Sequence, residues 1–429
     1  MKLDSYWTDT AERFEPMRSD LPAKADVAII GGGFTGLSAA LALAKSGANV
    51  VVLEAGQVAS EASGRNGGHV NNGLAHDYAL LADRVGSEQA SAWYRAYDAA
   101  VDTVARVVNE EAIGCDFARN GKLKLAARPA HYESLARAAE RMRRDVDTDI
   151  ELVDRSRIRN EIDSDQFFGG LLQKRSAQMH MGRFGAGLAA AAERRGARIH
   201  TSTIATRLER IAANGHAHRV HTARGAVVAK QVLVATGATR HGGYPTYGFW
   251  RRRIVPIGSF IVVTEPLGRE RAQSVLGGRR TYTTTANLHH YFRLTPDDRL
   301  VFGGRARFAL SSPQSDAKSG ELLRAALAHT FPRFADAKID YCWGGLVDLT
   351  RDRLPRAGEH DGLYYSMGYS GHGAQMSVHM GQCMARVMAG EAAANPWRDL
   401  AWPAIPGHFG PPWFLPAIGL YYRLKDKLS

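Results

Sequence analysis

The chain has 429 residues, of which 45% are hydrophobic, and its formal net charge is +12. This length allows two domains with a sizeable core, and the three widely spaced cysteines argue for a reducing compartment and against a disulfide framework. Because no apolar run approaches the ~18 residues that span a bilayer, and the first residues carry no cleavage signal, we expect a cytoplasmic protein without a transmembrane segment.

The first informative element is a glycine cluster between a strand and a helix. An apolar run over residues 27–30 predicts the strand, and Gly31, Gly33 and Gly36 follow it in the GxGxxG spacing. Gly31 makes the tight turn, Gly33 lets the backbone approach a pyrophosphate, and Gly36 allows the helix to pack closely on the strand. The helix expected over residues 35–45 directs its positive N-terminus at the phosphates.

A second strand supports the same interpretation. The apolar run over residues 50–53 ends in Glu54, where a carboxylate binds an adenosine ribose in dinucleotide folds. The sequence therefore predicts a bound dinucleotide that also contacts Phe34, Thr35 and Ala55. The alternative, a glycine turn with a purely structural role, does not explain the terminal acid.

A polar, glycine-rich loop follows the acid and indicates which dinucleotide is bound. A plain nicotinamide fold would continue into another helix and strand, whereas small residues here suit a backbone that wraps an extended cofactor. Arg65 can offset phosphate charge and Asn66 can bond the ring system of a flavin, although the segment alone also reads as a polar loop. The candidate cofactor contacts of this loop are Ser63, Arg65, Asn66, Gly67 and Gly68.

Two distant segments favour the flavin. Residues 231–238 predict a strand that ends in a tight Thr-Gly turn. A strand over residues 363–367 precedes a glycine loop at 368–373, and an amphipathic helix is expected over 374–388. A helix N-terminus beside a glycine loop suits the negative charge of a reduced flavin. The candidate contacts here are Thr236, Gly237, Gly371, His372 and Gly373.

In combination, these motifs resemble those of the FAD-dependent D-amino-acid oxidase and sarcosine oxidase superfamily. Within it, the chain is most similar to the bacterial γ-glutamylputrescine oxidoreductases and their relatives. The resemblance covers nearly the whole length. The segments that carry it are Ser5-Tyr6-Trp7, GGGFTGLSAALALA, VVVLEA, ASGRNGG, TEPL, YFRLTPDDRLVFGG, IDYCWGG, GYSGHG and GLYYRLKDKL.

The expected architecture is an α/β fold. An FAD-binding, Rossmann-like domain is interleaved with an α+β substrate domain, whose antiparallel sheet forms the floor of the substrate pocket. Alternating apolar residues over 257–264 and 300–304 support that sheet. We assign residues 1–90, 171–240 and 341–390 to the FAD-binding domain, 91–170 and 241–340 to the substrate domain, and 391–429 to a C-terminal arm.

The resemblance implies an amine oxidation in which the flavin carries the chemistry. A neutral amine gives a hydride to flavin N5, water hydrolyses the imine to an aldehyde and ammonia, and O2 reoxidises the flavin to give H2O2. Three residues are the catalytic candidates. Arg293 either contacts a substrate carboxylate or the flavin, or is a surface strand arginine. Tyr369 and His372 lie in the glycine loop, where His372 either bonds the flavin carbonyl edge or caps the helix.

The sequence departs from the sarcosine oxidases at two places. Those enzymes tether FAD through a cysteine near the position of Gly345, and residues 343–352 here contain none, so we expect non-covalent FAD with Gly344 and Gly345 close to it. They also place a lysine beside the flavin for oxygen reduction, and residues 231–317 lack one. The alternative function is therefore an amino-acid, opine or imino-acid dehydrogenase that uses another electron acceptor.

The positive charge predicts a solvated arginine-rich surface or an electrostatic funnel for a carboxylate-bearing substrate. Interleaved aromatics are absent from the arginine groups, so no nucleic-acid partner is expected. His289 and His290 are adjacent in a predicted strand and face opposite ways, so no metal site is predicted. The apolar segment over residues 411–422 could touch a membrane, but we expect it to pack on its own protein or on a partner subunit. The oligomeric state stays open.

Overall fold

The computed structural model describes residues 1–211, 215–238, 248–286, 288–304 and 310–428, with the backbone alone for 422–428. Two large β-sheets organise these residues, and helices cover their outer faces. The helices are α1 (Tyr6–Asp9), α2 (Phe34–Lys45), α3 (Tyr78–Val85), α4 (Ser87–Glu110), α5 (Pro129–Asp145), α6 (Met181–Arg194), α7 (Gly248–Arg251), α8 (Arg269–Val275), α9 (Pro313–Thr330), α10 (Gly373–Met388) and α11 (Leu415–Leu428).

The first sheet is mostly parallel. Its strands in spatial order are β17 (Arg356–His360), β18 (Leu363–Met367), β11 (Gly225–Val234), β1 (Lys24–Ile30), β2 (Val50–Leu53) and β8 (Arg198–His200), with β10 (His218–Thr222) and β9 (Ala205–Arg210) added antiparallel beside β11. β2 is apolar and buried at every position, as expected for a parallel strand covered on both faces. α10 packs directly on α2, because a Cβ at Gly381 would lie 2.4 Å from the carbonyl oxygen of Thr35.

The second sheet is antiparallel apart from one pair. Its order is β16 (Ile339–Leu349), β12 (Val255–Thr264), β15 (Leu300–Gly304), β14 (His290–Leu294), β13 (Thr281–Thr284), β4 (Lys122–Leu125), β6 (Gly170–Gln173) and β5 (Ile150–Val153), and only β13 and β4 run parallel. A separate short pair joins β3 (His69–Val70) to β7 (Ala177–Gln178).

Because side chains alternate along each strand, the two faces of the second sheet carry different sets of residues. One face carries the stacked aromatic rings of Tyr282, Phe292 and Phe302 in a core of its own. The other face turns towards the first sheet and carries Tyr291 and Arg293. The space between the two sheets is therefore walled by glycine turns on one side and by strand side chains on the other.

The α/β fold class is confirmed, and the strands expected at 27–30, 50–53 and 363–367 are present. The helix expected to begin at 374 begins one residue earlier as α10. Two assumed domain boundaries, after residues 170 and 340, fall within β6 and β16, which both belong to the second sheet. The boundary after residue 240 lies outside the described residues. The division into domains stays a prediction.

In the described part of the chain, no helix combines the length and the apolar character that crossing a membrane requires. All three cysteines are buried and unbridged.

Candidate active site

The first glycine turn is packed too tightly for side chains. Gly31 has a φ of +108°, and a Cβ there would lie 2.7 Å from the carbonyl oxygen of Ala235. A Cβ at Gly36 would lie 2.0 Å from the carbonyl oxygen of Gly31. Gly33 is the N-cap residue of α2 and makes no side-chain cap. The first turn of α2 holds no acidic residue, so its N-terminal partial charge faces the space beside Gly33.

Glu54 sits at the end of β2 and faces the same space. Its Oε2 accepts a hydrogen bond from the Gly32 N–H at 2.6 Å, and its Oε1 accepts one from the Gly56 N–H at 2.7 Å. These bonds fix the carboxylate beside the glycine turn, in the position predicted for a ribose acceptor.

Hydrogen bonds within the loop that follows Glu54 fix its conformation. The Asn66 side chain donates to the carbonyl oxygens of Ala62 and Ser63, at 3.2 and 2.8 Å, and accepts from the Gly68 N–H at 2.9 Å. Its amide therefore closes the loop. Arg65 Nε donates to the carbonyl oxygen of Gly344 at 2.6 Å, which joins the loop to β16.

Arg293 lies beneath this loop and is 2% exposed. Its guanidinium donates to the carbonyl oxygens of Gly67 at 3.0 Å and Met179 at 2.8 Å, and it lies 4.9 Å from the Trp7 ring centroid. Burial lowers its pKa to about 10. Arg293 is therefore not a surface strand arginine, and its guanidinium donates to backbone carbonyls, while its contact with a substrate carboxylate or the flavin stays a prediction. In this position it supports the loop.

A cavity of about 300 Å³ runs from Glu54 to the second glycine loop. Most of the residues predicted to contact cofactor or substrate line it. They are Gly31, Gly33, Phe34, Thr35, Glu54, Ala55, Ser63, Arg65, Asn66, Gly67, Thr236, Gly237, Gly345, Tyr369, Gly371, His372 and Gly373. Their individual contacts with a cofactor stay predictions.

Four predicted residues lie outside the cavity lining: Gly36, Gly68, Gly344 and Arg293. Gly36 packs against its own turn, as described above. A Cβ at Gly68 would lie 2.2 Å from Nη2 of Arg293, and a Cβ at Gly344 would lie 2.4 Å from Oγ of Ser311. These glycines permit close packing behind the cavity wall.

Tyr369 is buried where the two glycine loops meet. Its hydroxyl lies 2.9 Å from Oγ1 of Thr35 and 2.9 Å from Oγ of Ser366. Burial raises its pKa far above the usual range of a phenol. Tyr369 therefore stays protonated and joins the loop before α10 to the first turn of α2.

His372 is the N-cap residue of α10, but its side chain forms no capping hydrogen bond. Its Nδ1 is buried and has no hydrogen-bond partner in the described residues. Burial lowers the pKa of His372 to about 3, with smaller contributions from nearby Lys122 and Arg353, so the ring is neutral at physiological pH. A neutral ring with an unsatisfied nitrogen can bond a polar group inside the cavity.

The wall formed by the second sheet was not predicted from the sequence. Ser259, Thr283 and Tyr291 line the cavity, and the Tyr291 hydroxyl lies 3.0 Å from Oγ of Ser259. Thr283 pairs in register with Tyr291 on one side and with Lys124 on the other, so these side chains share one face. In the sequence, the alternation of lysine and leucine in β4 indicates one polar and one apolar face, and this pattern could have revealed the wall.

Lys122 is buried on this face and Lys124 is half-buried beside Thr283, outside the residues that line the cavity, while Leu123 and Leu125 join the opposite core. Lys122 Nζ donates to the carbonyl oxygen of Asn72 at 2.7 Å, and burial lowers its pKa to about 7. Burial also lowers the pKa of Lys124, opposed by Asp77.

A second missed residue is Asp348, which lines the cavity from β16. Its Oδ2 accepts a hydrogen bond from the Gly368 N–H at 2.6 Å. Burial raises its pKa to about 6, against backbone donors at Gly368 and Ser370 that lower it. Asp348 thus holds the start of the second glycine loop.

The donor set of this cavity fits FAD. One end offers a carboxylate beside a glycine turn and the N-terminus of α2, which suits a ribose and a pyrophosphate. The other end offers the N-terminus of α10, without an acidic first turn, and the unsatisfied Nδ1 of His372, which suit the polar edge of a flavin. No cysteine lines the cavity, and Cys342 points its thiol at the carbonyl oxygen of Asp316, 3.2 Å away.

A dinucleotide turn, a second glycine loop and an antiparallel wall around one cavity define a flavin-dependent oxidoreductase. Residues 26–387 match the family model described as FAD dependent oxidoreductase, DAO. The chain belongs to this family, it is an enzyme, and its cofactor is FAD. The resemblance inferred from the motifs is confirmed.

The chain is 31% identical to the γ-glutamylputrescine oxidoreductase of Escherichia coli K12, over 99% of this chain and 98% of that protein. Its fold is similar to that of glycine oxidase from Geobacillus kaustophilus, with a TM-score of 0.69 at 20% identity, covering 90% of this chain and 99% of the other. It is also similar to L-proline dehydrogenase from P. horikoshii, with a TM-score of 0.70 at 19% identity, covering 86% and 94%.

Proposed function

We propose that the protein oxidises a C–N bond of an amine that also carries a carboxylate, as γ-glutamylputrescine does. When bound, FAD supplies the hydride acceptor at N5. Water then hydrolyses the imine to an aldehyde and ammonia, and O2 takes the electrons to give H2O2. The observation that carries the proposal is the polar wall of Ser259, Thr283 and Tyr291, with Lys124 beside Thr283, opposite the glycine loops.

This wall has the chemistry that an amine with a distant carboxylate needs. The hydroxyl groups can orient the substrate by hydrogen bonds, whereas Lys124 supplies a positive charge on the same face. The similarity to the γ-glutamylputrescine oxidoreductase of Escherichia coli, whose name indicates a γ-glutamylated amine, supports this substrate class.

The titratable groups at this end of the cavity favour the reactive form of the substrate. Hydride transfer requires a neutral amine, because an ammonium group has no lone pair to stabilise the developing iminium. Lys122 and Arg353 are close enough to His372 to lower its pKa, and the same basic groups disfavour an ammonium in the cavity. His372 stays neutral and offers Nδ1 as a hydrogen-bonding group; we retain it as the candidate that touches cofactor or substrate.

Tyr369 and Arg293 take different roles in this proposal from those first expected. Both are buried and bonded to protein groups, so they position the glycine loops. We further propose that FAD is held without a covalent bond, because the cavity lining includes no cysteine.

A second candidate function concerns the electron acceptor. The stretch from 231 to 317 contains no lysine, so the lysine that assists oxygen reduction in sarcosine oxidases has no counterpart there. This absence favours an amino-acid, opine or imino-acid dehydrogenase that passes electrons to another acceptor.

Anaerobic titration of the holoenzyme, monitored by flavin absorbance, tests the proposal. We expect γ-glutamylputrescine to bleach the flavin faster than free putrescine, which lacks the carboxylate. Bleaching by proline or by D- or L-amino acids alone would contradict the proposal and favour the second candidate. Admission of air then separates the two acceptors, since an oxidase recovers its absorbance and forms H2O2. Acid precipitation that releases all the yellow colour into the supernatant is the expected result for non-covalent FAD.

A further inference from the structure

The C-terminal arm exposes an apolar surface. Trp413 lies in the turn before α11 and is 75% exposed, while Leu420 and Tyr421 of α11 are 55% and 59% exposed. Leu415 and Gly419 face the protein instead. Spacing of three, four, seven and eight residues places the exposed residues on one face of a helix. We call this surface the arm patch: Phe409, Trp413, Pro416, Ala417, Leu420 and Tyr421.

Leu415 and Gly419 pack on the protein, as expected for this segment, whereas the outward face of the arm is exposed, and its packing on a partner subunit stays a prediction. Single exposed apolar side chains are ordinary on protein surfaces. A tryptophan in the turn before a helix, followed by a leucine and a tyrosine on the same side of that helix, marks an interaction surface.

Positive charge borders the arm patch. The Arg252 guanidinium lies 5.3 Å from the ring centroid of Phe409, and the Arg251 side chain lies against Gly410. Both arginines are exposed, and neither forms an ion pair with a described residue. The sequence that follows Tyr421 contains three basic residues, Arg423, Lys425 and Lys427, and one acid, Asp426.

We propose that the arm patch binds the surface of a membrane that contains anionic lipids. An amphipathic helix with aromatic residues on its apolar face and basic residues beside it lies in the plane of a bilayer interface. Tryptophan and tyrosine suit this boundary because each ring has an apolar body and a polar edge. The basic residues then meet the negative lipid headgroups.

A second copy of the chain is a poorer partner for the arm patch. A contact between two copies would bring together two surfaces that are each bordered by Arg251 and Arg252, and like charges across an interface repel. An anionic lipid surface has the opposite charge and accepts the apolar face at the same time.

Sedimentation of the holoenzyme with lipid vesicles tests the proposal. We expect binding to vesicles that contain phosphatidylglycerol to be at least about tenfold stronger than to pure phosphatidylcholine, and to weaken as salt is added. The double variant Trp413→Ser/Leu420→Ser should lose binding to both kinds of vesicle. The double variant Arg251→Gln/Arg252→Gln should lose the preference for anionic lipid.

Leu80→Ser is the matched control, because Leu80 is 72% exposed on α3 and lies outside the arm. Its vesicle binding should equal that of the wild type. Flavin absorbance and melting temperature establish that each variant is folded. Absence of binding to anionic vesicles by flavin-loaded wild type overturns the proposal. A concentration-dependent dimer that Trp413→Ser/Leu420→Ser dissociates, without any vesicle binding, would assign the patch to a second copy instead.

Discussion

The hydroxyl of Tyr369 lies 2.9 Å from Oγ1 of Thr35, although the two residues belong to opposite ends of the chain. The bond joins the loop before α10 to the first turn of α2, where the two helix N-termini open on one cavity. Both side chains are buried, so the Thr35 hydroxyl depends on Tyr369 for hydrogen bonding, whereas the Tyr369 hydroxyl also lies 2.9 Å from Oγ of Ser366.

Tyr369→Phe should therefore lower stability and FAD affinity together. The change leaves the buried hydroxyls of Thr35 and Ser366 without a partner, at a cost of about 1–3 kcal/mol in the free energy of unfolding. Thr35→Val removes the other end of the bond. The double variant should lose less than the sum of the two single losses, measured by denaturant unfolding. If the losses in the free energy of unfolding of the two single variants add up to the loss of the double variant, the bond between Tyr369 and Thr35 contributes no coupling energy.

Gly36→Ala should abolish tight FAD binding. Its Cβ would lie 2.0 Å from the carbonyl oxygen of Gly31, so the helix must move away from the turn that is predicted to receive the pyrophosphate. Gly114→Ala is the matched control, because no atom lies within 4 Å of a Cβ there. Flavin content after purification and FAD titration of the apoprotein measure the effect. Wild-type FAD affinity in Gly36→Ala would show that the close packing is dispensable.

The cofactor side of the fold could be predicted because its signals are local. Gly31, Gly36 and Glu54 lie within one βαβ unit, and their spacing alone indicates the turn, the helix and the strand end. The loop at 368–373 carries the same kind of signal. The backbone geometry of these turns requires particular residue types, so the residue types in the sequence indicate the turns directly.

The substrate side could not be predicted because its residues come together only through strand pairing. Lys124, Thr283 and Tyr291 are neighbours through the pairing of β4, β13 and β14, and no local pattern fixes which strands pair. Arg293 lies on the same face as Tyr291, but the loop at Gly67 covers it, and no local pattern indicates which loop packs over a strand. The boundaries predicted after residues 170 and 340 fall within β6 and β16, because strand pairing is likewise not visible in the sequence.

Arg293→Lys should weaken FAD binding and lower the melting temperature. A lysine ammonium cannot reproduce the planar donors that reach Gly67 and Met179 at once, so the loop loses part of its support. We expect the turnover of the remaining holoenzyme, measured with saturating FAD, to show no selective loss for carboxylate substrates. A raised KM confined to such substrates, with unchanged stability, would return Arg293 to a direct substrate contact.

Lys124→Met should raise KM for γ-glutamylputrescine by about 10- to 100-fold, the range for loss of one charge-assisted hydrogen bond. Free putrescine should be affected much less, since it has no carboxylate. Lys122→Met is the control on the same strand, because Lys122 already bonds the carbonyl oxygen of Asn72. It should alter stability without changing the ratio of the two KM values. If the ratio of the KM for γ-glutamylputrescine to the KM for putrescine changes equally in Lys124→Met and Lys122→Met, the substrate makes no specific contact with Lys124.

Asp348 should make the apoprotein less stable as pH rises from about 4 to about 6. Burial raises its folded-state pKa from 3.8 to about 6, so the folded state binds more protons than the unfolded state in this window. Stability is therefore greatest below the unfolded pKa and declines through the folded one, by ~3 kcal/mol for a shift of about two units. Asp348→Asn keeps an oxygen that accepts from the Gly368 N–H and should flatten the decline.

The difference in urea unfolding between the wild-type and Asp348→Asn apoproteins across this pH range measures the decline, because buried groups with a lowered pKa, such as His372, change stability in the opposite direction. Burial also raises the pKa of Asp98 to about 6, so Asp98→Asn is the necessary comparison. Asp348→Asn and Asp98→Asn should each remove part of the decline in stability with pH, and the double variant should remove both parts. If Asp348→Asn retains the full wild-type decline while Asp98→Asn abolishes it, Asp348 is already ionised in the folded protein. The second glycine loop would then be held by a carboxylate at every pH above about 4.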